Sequence, residues 1–407
     1  MDATKSSIKA SQALPMVIAG GGPVGLSLAL GLVKQGYQVC LVDPTEPQQV
    51  LSESFDGRML ALSASSIELF RQVGVWDALK ACCTPIKHIH VSQKGYLGLT
   101  LIHAEELGLA ALGYAIRAAD LGRVLWQAVL AEPAIQGYYQ ARVTDAEVQE
   151  EQGLAVAIET PAGSKTISAQ MLIGADGTES KVRELMGVAF EKTHYQAWAF
   201  LAQATSHEPH QGWAYERFTQ QGPVALLPID SHDHKLVYVV PDAEKARVAA
   251  LDDEAFLAEF YQQMGVRMGG FSRVSSRMAY PLTEGRTAQL VKGRMLLMGN
   301  ACHTQHPVAA QGLNLGLRDV SDFLAISADH KLSASALADY ESTRLADHQQ
   351  VMRLTDGLIR VFQHPSPLVG NLRGLGLMAL QALPPLKKRL AKFASRGRAA
   401  VKVNGRA

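Results

Sequence analysis

"PMVIAGGGPVGLSLALGLVKQGYQVCLVD", Pro15 to Asp43, decides the fold. Its apolar run Met16 to Ala19 predicts a buried strand, and Gly20-x-Gly22-x-x-Gly25 follows directly. A helical pattern comes next, then Gly36 and a second strand, Gln38 to Val42, ending on Asp43. Glycines at that spacing permit a tight turn and close approach of backbone to a pyrophosphate. The helix terminus attracts the anion, and an acid at the second strand's end can take ribose hydroxyls. A lone glycine pattern would carry little. With a strand before it, a helix after it and the acid beyond, it predicts a dinucleotide-binding unit.

A second stretch repeats that physics far along the chain. "GRMLLMGNACHTQHPVAAQGLNLGLRDVSDFLAI", Gly293 to Ile326, predicts a strand (Met295 to Met298), a polar turn, and a helix opening near Gln311 and Gly312. Unpaired amides of a first helical turn favour an anion. Gly312 and Gly316 would let a planar ring approach the backbone. In "AQMLIGADGTESKVRELMGV", Ala169 to Val188, another strand ends in Gly174-Ala-Asp176-Gly177 and Ser180 opens a helix. On its residues alone this is equally a ligand loop or an ordinary turn. The same holds for Arg58, after Asp56-Gly57: a phosphate or ribityl contact, or a surface arginine. Asp120 is a candidate helix N-cap, with Arg123 on the first turn.

Length and composition bound the rest. A chain of 407 residues is long enough for two cores. Charge is balanced at +1 and 47% of residues are hydrophobic, which argues against nucleic acid as a partner. The four cysteines, Cys40, Cys82, Cys83 and Cys302, lack metal-ligand spacing and predict reduced thiols in a cytoplasmic protein, with no metal. No apolar run approaches the roughly 18 residues of a membrane span.

The patterning predicts an α/β fold: a Rossmann-like domain with an inserted, mostly antiparallel β-sheet substrate domain and C-terminal helices. The expected partition is 14–80, 115–186 and 287–350 for the nucleotide domain, and 81–114 with 187–286 for the substrate domain. Residues 351–407 form the helical end with its basic tail. Trp198, Trp213, Phe218 and Tyr238 could line an aromatic pocket, with core packing the favoured alternative for each. Near the end, an apolar segment, Leu368 to Leu386, precedes eight Lys or Arg and no acid between Lys387 and Arg406. Such a face beside a basic end suits an anionic membrane surface, the alternative being a core-packing helix followed by a disordered basic tail.

"GGGPVG", "DGRMLALS", "GADGTES" and "GNACHTQHPVAAQGLNLGLRD", in that order, resemble the flavoprotein aromatic hydroxylases typified by p-hydroxybenzoate hydroxylase, over roughly residues 14 to 385. "HPVAAQGLNLGLRDV" and "LTDGLIRVF" look like the ubiquinone-biosynthesis branch. Asn300 stands after Gly299 where most members carry Asp, which resembles the 2-octaprenyl-6-methoxyphenol hydroxylases within it.

The resemblance implies non-covalent FAD, with Gly20, Gly22 and Gly25 on its pyrophosphate and Asp43 on the adenosine ribose. It implies Arg58 and Arg123 near the phosphate and ribityl part. Asp176 and Gly177 would serve FAD and the transient NAD(P)H, and Asn300 the ribityl or ribose hydroxyls. His306, Pro307 and Gln311 would adjoin the isoalloxazine, with the amides of Gly312, Leu313 and Asn314 at its N1–C2 edge. The implied reaction hydroxylates a polyprenylated phenol with O2 through a flavin hydroperoxide. No acid or base for the phenol is assigned; His303, His306 and Tyr215 are candidates, His303 equally a structural hydrogen-bonder. A homo-oligomer, peripheral membrane contact and other ubiquinone-pathway proteins are the further partners expected. Competing readings are a same-fold flavin reductase or oxidase of another aromatic compound, and a non-catalytic flavin-binding scaffold.

Overall fold

The computed structural model describes residues 14–48, 59–149, 153–265, 269–305, 311–330, 332–364 and 366–388. Five parallel strands form the first sheet, in the order Met295–Leu297, Met171–Gly174, Met16–Ala19, Val39–Asp43, Ile135–Tyr139. The antiparallel pair Val291–Lys292 closes one edge. The four-residue apolar runs at 16–19 and 171–174 are wholly buried, as strands covered on both faces require.

Helices Pro23–Lys34, Ala64–Gln72, Ala118–Leu130 and Gly312–Ser327 cover one face through Leu26, Phe70, Leu125 and Phe323. An antiparallel meander of Arg142–Gln149, Gly153–Thr160 and Gly163–Ala169 covers the other, with the helix Lys181–Met186. From Met16–Ala19 the chain builds outward to one side, then returns to build the other. Ligands bind at the carboxyl ends of strands at such a reversal point.

A larger, mostly antiparallel sheet runs from His303–Thr304 through Met278–Thr287, Phe190–Ser206, Asp233–Pro241, Pro223–Pro228 and Trp213–Phe218 to His88–Gln93 and Leu99–His103. One face packs Phe200, Leu226, Leu236 and Tyr238 on the helix Asp253–Met264, which Asp252 caps by accepting from Ala255 N at 2.8 Å. The opposite face fronts the cavity described below. A small sheet of Met59–Leu62, Gly113–Arg117 and Cys83–Ile86 joins the two regions. Helices Ala334–Gln363 and Pro367–Ala382 follow.

One local expectation differs from the structure. Asp120 is not an N-cap: the helix starts at Ala118, and Asp120 lies in its first turn, bonded to Arg123 at 3.0 Å. Between the helices Ala64–Gln72 and Trp76–Lys80 the chain turns where Gly74 takes a φ of 82°. All four cysteines are free. No described helix is long and apolar enough to cross a membrane.

Candidate active site

The Gly20–Gly25 turn leaves the carboxyl end of the central strand. A Cβ on Gly20, whose φ is 107°, would collide with Ala175 O; on Gly25 it would collide with Gly20 O, and on Gly21 with the Trp126 ring. Those three are glycines because protein already fills the space. Gly22 differs, since a Cβ there meets nothing within 4 Å. It faces open space at the head of Pro23–Lys34, where no side chain caps the helix. Asp43 is pinned beside the turn, accepting from Gly21 N at 2.5 Å and Thr45 N at 2.8 Å.

The other motifs converge on the same edge. Gly20 abuts the backbone of Ala175 and Asp176, while Gly299 and Gly316 both pack on Val24. Asp176 Oδ2 accepts from Lys181 N and Val182 N, so this loop is partly an ordinary helix start. Its Oδ1 is buried with no partner among the described residues, and Gly177 beside it faces open space. Asn300 is exposed on the short turn Gly299–Ala301 that follows the strand Met295–Leu297.

The helix Gly312–Ser327 opens with no side-chain cap. Gly312 faces open space, but a Cβ on Gly316 would meet Val24 and Gly299. Gly316 therefore serves helix packing rather than approach of a ring. The Asn314 side chain is also structural: Oδ1 accepts from Ser63 N and Ser66 Oγ, and Nδ2 donates to Ala61 O. Arg123 is held by Asp120 and Cys82, one turn before Trp126. Arg58, His306 and Pro307 lie outside the described residues; Gln311 occupies the helix cap and borders the cavity.

Behind the Gly299 turn sits a buried charge cluster. Asp319 Oδ2 accepts from Gly299 N and His303 Nε2, both at 3.0 Å. Its Oδ1 accepts from Arg344 Nε at 2.7 Å and His348 Nε2 at 2.8 Å. Arg344 also pairs with Asp322 and Asp347, each at 2.9 Å. Burial alone would raise the Asp319 carboxyl; its partners outweigh that and hold it well below the usual range. Burial pulls His348 down to about 4, leaving it neutral at pH 7, so Arg344 is the lasting counter-charge. Cys302, His303, Asp319 and His348 could surround a metal ion, but Arg344 already neutralises the carboxylate they share. His303 is fully buried with Nε2 on Asp319, which favours the structural side of its two readings.

An apolar cavity of about 670 Å³ starts beside Ala61, Leu62, Gln311 and Asn314 and continues under the large sheet. Exposed Leu109, Leu354 and Lys388 form its rim. Across its floor run Thr100, Val91, Glu216, Ala225 and Val237, paired strand to strand. Phe218, one same-face step beyond Glu216, stacks on Phe362 with ring centroids 3.7 Å apart. Of the four aromatics considered from sequence, Phe218 alone lines the cavity; Tyr238 is in the opposite core, and Trp198 lies under Lys245.

Glu216 was not legible as a site residue. The available signal was a carboxylate in the apolar phase of a strand, between Ala214 and Phe218. Burial pushes its carboxyl up to about 8. Its residual accessible area is intermediate because it faces the cavity, while protein atoms surround it elsewhere.

A family model described as "FAD binding domain" matches residues 13–355. This chain belongs to that family. The flavoprotein is 32% identical to ubiquinone hydroxylase UbiL of Rhodospirillum rubrum, over 95% of this chain and 90% of that one. It is 30% identical to 3-demethoxyubiquinol 3-hydroxylase of Escherichia coli, covering 94% and 99%. In fold it resembles p-nitrophenol 4-monooxygenase from Pseudomonas putida, with a TM-score of 0.76, 17% identity, and coverage of 95% and 99%.

It is an FAD-dependent monooxygenase, with NAD(P)H the co-substrate typical of its family. The residues present fit that cofactor. An uncapped helix start, the empty side of Gly22, a fixed Asp43 and the unpartnered Asp176 Oδ1 are what a dinucleotide would engage.

Proposed function

We propose that this monooxygenase hydroxylates the ring of a polyprenylated phenol in ubiquinone biosynthesis. The relatives' names supply the pathway, and the cavity is the observation that carries the substrate class. Its volume lies within the range of about 300–1,000 Å³ usual for small-molecule sites. Its walls are apolar, one end adjoins the head of Gly312–Ser327, and the other reaches the surface. A ring can rest at the inner end while a long prenyl chain leaves through the rim.

On this reading the ranges 14–80, 115–186 and 287–350 hold FAD, and 81–114 with 187–286 form the substrate side. The turn shaped by Gly20 and Gly25 would present Gly22 to the pyrophosphate, Asp43 would take the ribose, and Arg58 and Arg123 the phosphate and ribityl region. Asp176, Gly177 and Asn300 complete the polar contacts. Gln311, His306, Pro307 and the amides of Gly312, Leu313 and Asn314 adjoin the ring system, and those amides favour negative charge there. FAD held there would supply the redox chemistry, carrying reducing equivalents from NAD(P)H to O2 for oxygen transfer to the ring. The protein binds and orients the phenol, and its apolar walls exclude water from the oxygen-transfer step.

The prenyl chain implies a membrane surface, and the helix Pro367–Ala382 supports one. Leu368, Leu372, Leu375 and Met378 are exposed along it, and Leu97, 85% exposed, projects from a turn packed against its Gly374. The basic end contributes less than its sequence implies. Lys387 is buried, donating to Leu101 O and paired with Glu106 at 2.6 Å, so it is a tether rather than a lipid contact. Lys388 is exposed; the basic residues from Arg389 onward lie outside the described residues.

The test is mass spectrometry of 2-prenylphenol incubated with holoenzyme, NAD(P)H and O2. A product heavier by one oxygen atom is expected; NAD(P)H oxidation yielding only hydrogen peroxide would defeat the reading. In parallel, Leu368→Asp with Leu372→Asp should abolish co-sedimentation with phosphatidylglycerol vesicles while FAD content stays intact. Unchanged sedimentation would remove the helix from the membrane contact.

A further inference from the structure

One side chain in the cavity has no explanation in the fold. Glu216 stands mid-floor among Val91, Ala225, Thr100 and Val237, in the same phase as Ala214 and Phe218. Burying a carboxyl among apolar groups is unfavourable unless something pairs with it. No described side chain gives Glu216 a hydrogen bond or an ion pair. Among the described residues, the other ionisable groups bordering the cavity are Lys235, Lys388 and Tyr215. Lys235 donates to Met59 O at 2.6 Å, and Lys388 belongs to the rim.

Position along the strand matters as much as isolation. Val237 lies in the same cross-strand row as Glu216, and Lys235 is the next residue on that face, roughly 7 Å back along its strand. Lys235 in turn reaches Met59, the first residue of the strand leading to Ala61 and Leu62 at the inner end. Lys235 thus marks the inner end of the floor, and Glu216 stands two strands over and one same-face step farther out.

We propose that Glu216 receives the ring hydroxyl of the substrate: its carboxylate accepts the hydroxyl's hydrogen bond and then its proton as oxygen is transferred to the ring. The inference rests on the cavity's being the aromatic-substrate site. In this step the phenolic O–H bond breaks and a Glu216 O–H bond forms. The electron pair left on the phenolic oxygen enriches the ring carbons ortho and para to it, where an electrophilic oxygen attacks. The proton transfer itself oxidises nothing; O2 and NAD(P)H supply the redox change.

A base is most effective with a pKa near the working pH. Glu216, at about 8, is neutral below that value and ionised above it. Phenol binding should accordingly tighten as pH rises from 6 to 9, below the ordinary phenol range of about 10.

The experiment titrates 2-prenylphenol into holoenzyme without NAD(P)H, following the perturbation of flavin absorbance across that pH range. The wild-type protein should bind about tenfold more tightly at pH 9 than at pH 6, the gain from a charge-assisted hydrogen bond. Glu216→Gln should retain FAD, bind the phenol without that pH dependence, and hydroxylate roughly 100-fold more slowly. Glu216→Asp, with the proton acceptor on a shorter arm, should keep the pH step and recover part of the rate.

A Glu216→Gln protein with the wild-type binding profile and rate overturns the assignment alone. Wild-type holoenzyme that binds no prenylphenol overturns the substrate reading and the assignment with it. Loss of FAD from both variants makes Glu216 a folding residue and overturns the assignment equally.

Discussion

Asp319 and Glu216 are both removed from bulk water, and their surroundings separate them. Asp319 meets a guanidinium, two imidazoles and a backbone amide, and its carboxyl is held well below the usual range. Glu216 meets apolar walls and a cavity, and burial pushes it up to about 8. The cost of desolvation is common to both; only the partners differ. A buried carboxyl whose lone pairs are all answered holds a structure together. One with none answered marks where a ligand belongs.

That contrast can be broken from either side. Arg344→Met should have the largest effect, because it leaves Asp319, Asp322 and Asp347 buried around a missing cation. Removing one partner of a buried pair costs about 3–5 kcal/mol. Urea unfolding should show a loss of that size, easing at lower pH as the carboxylates protonate. A loss near zero would mean that the cluster does not hold the Gly299 turn.

The glycine turn offers the same division between packed and ligand-facing positions. Gly25→Val pushes a side chain into Gly20 O and should cost about 1–3 kcal/mol of stability or more. Gly22→Val meets no protein atom and should fold normally, yet purify without yellow flavin. Full flavin absorbance in Gly22→Val would refute the reading of that open side.

Glu216 also predicts a pH slope in stability. In the folded chain its carboxyl keeps a proton up to about 8, whereas an unfolded glutamate releases it near 4.3. The folded state is thus disfavoured progressively as pH rises between those values, and the penalty levels off above. Glu216→Gln removes it, so the variant should gain on the wild type by roughly 1–3 kcal/mol between pH 5 and 9 in denaturant titrations. Parallel stability curves would show that the carboxyl is well solvated.

The smallest effect is expected at Asn300, exposed at the cofactor edge. Asn300→Asp keeps an acceptor for a hydroxyl and should change FAD affinity by about 1 kcal/mol or less. Flavin loss comparable with Gly22→Val would instead make the amide's donor role indispensable.

Sequence alone determined the parallel strands Met16–Ala19, Val39–Asp43, Met171–Gly174 and Met295–Leu297, because each is written in a few neighbouring residues; the fifth, Ile135–Tyr139, is defined by its pairing with Val39–Asp43. Gly20, Gly22 and Gly25 after an apolar run leave the backbone little choice, and Asp43 ends the next strand by simple succession. The helices Asp253–Met264 and Ala334–Gln363 are likewise opened locally, each by a side-chain cap, Asp252 and Ser333. Tertiary structure alone decided which residues meet. Asp319 joins Arg344 and His348 across 25 and 29 residues, Lys387 meets Leu101 across 286, and Glu216 faces a cavity only because of its strand's register. A one-residue slip would turn Glu216 to the opposite face. Register and helix docking are set by the sum of distant apolar contacts, which no local pattern encodes. For that reason the cofactor turn could be read in the chain, while the polar group in the substrate cavity could not.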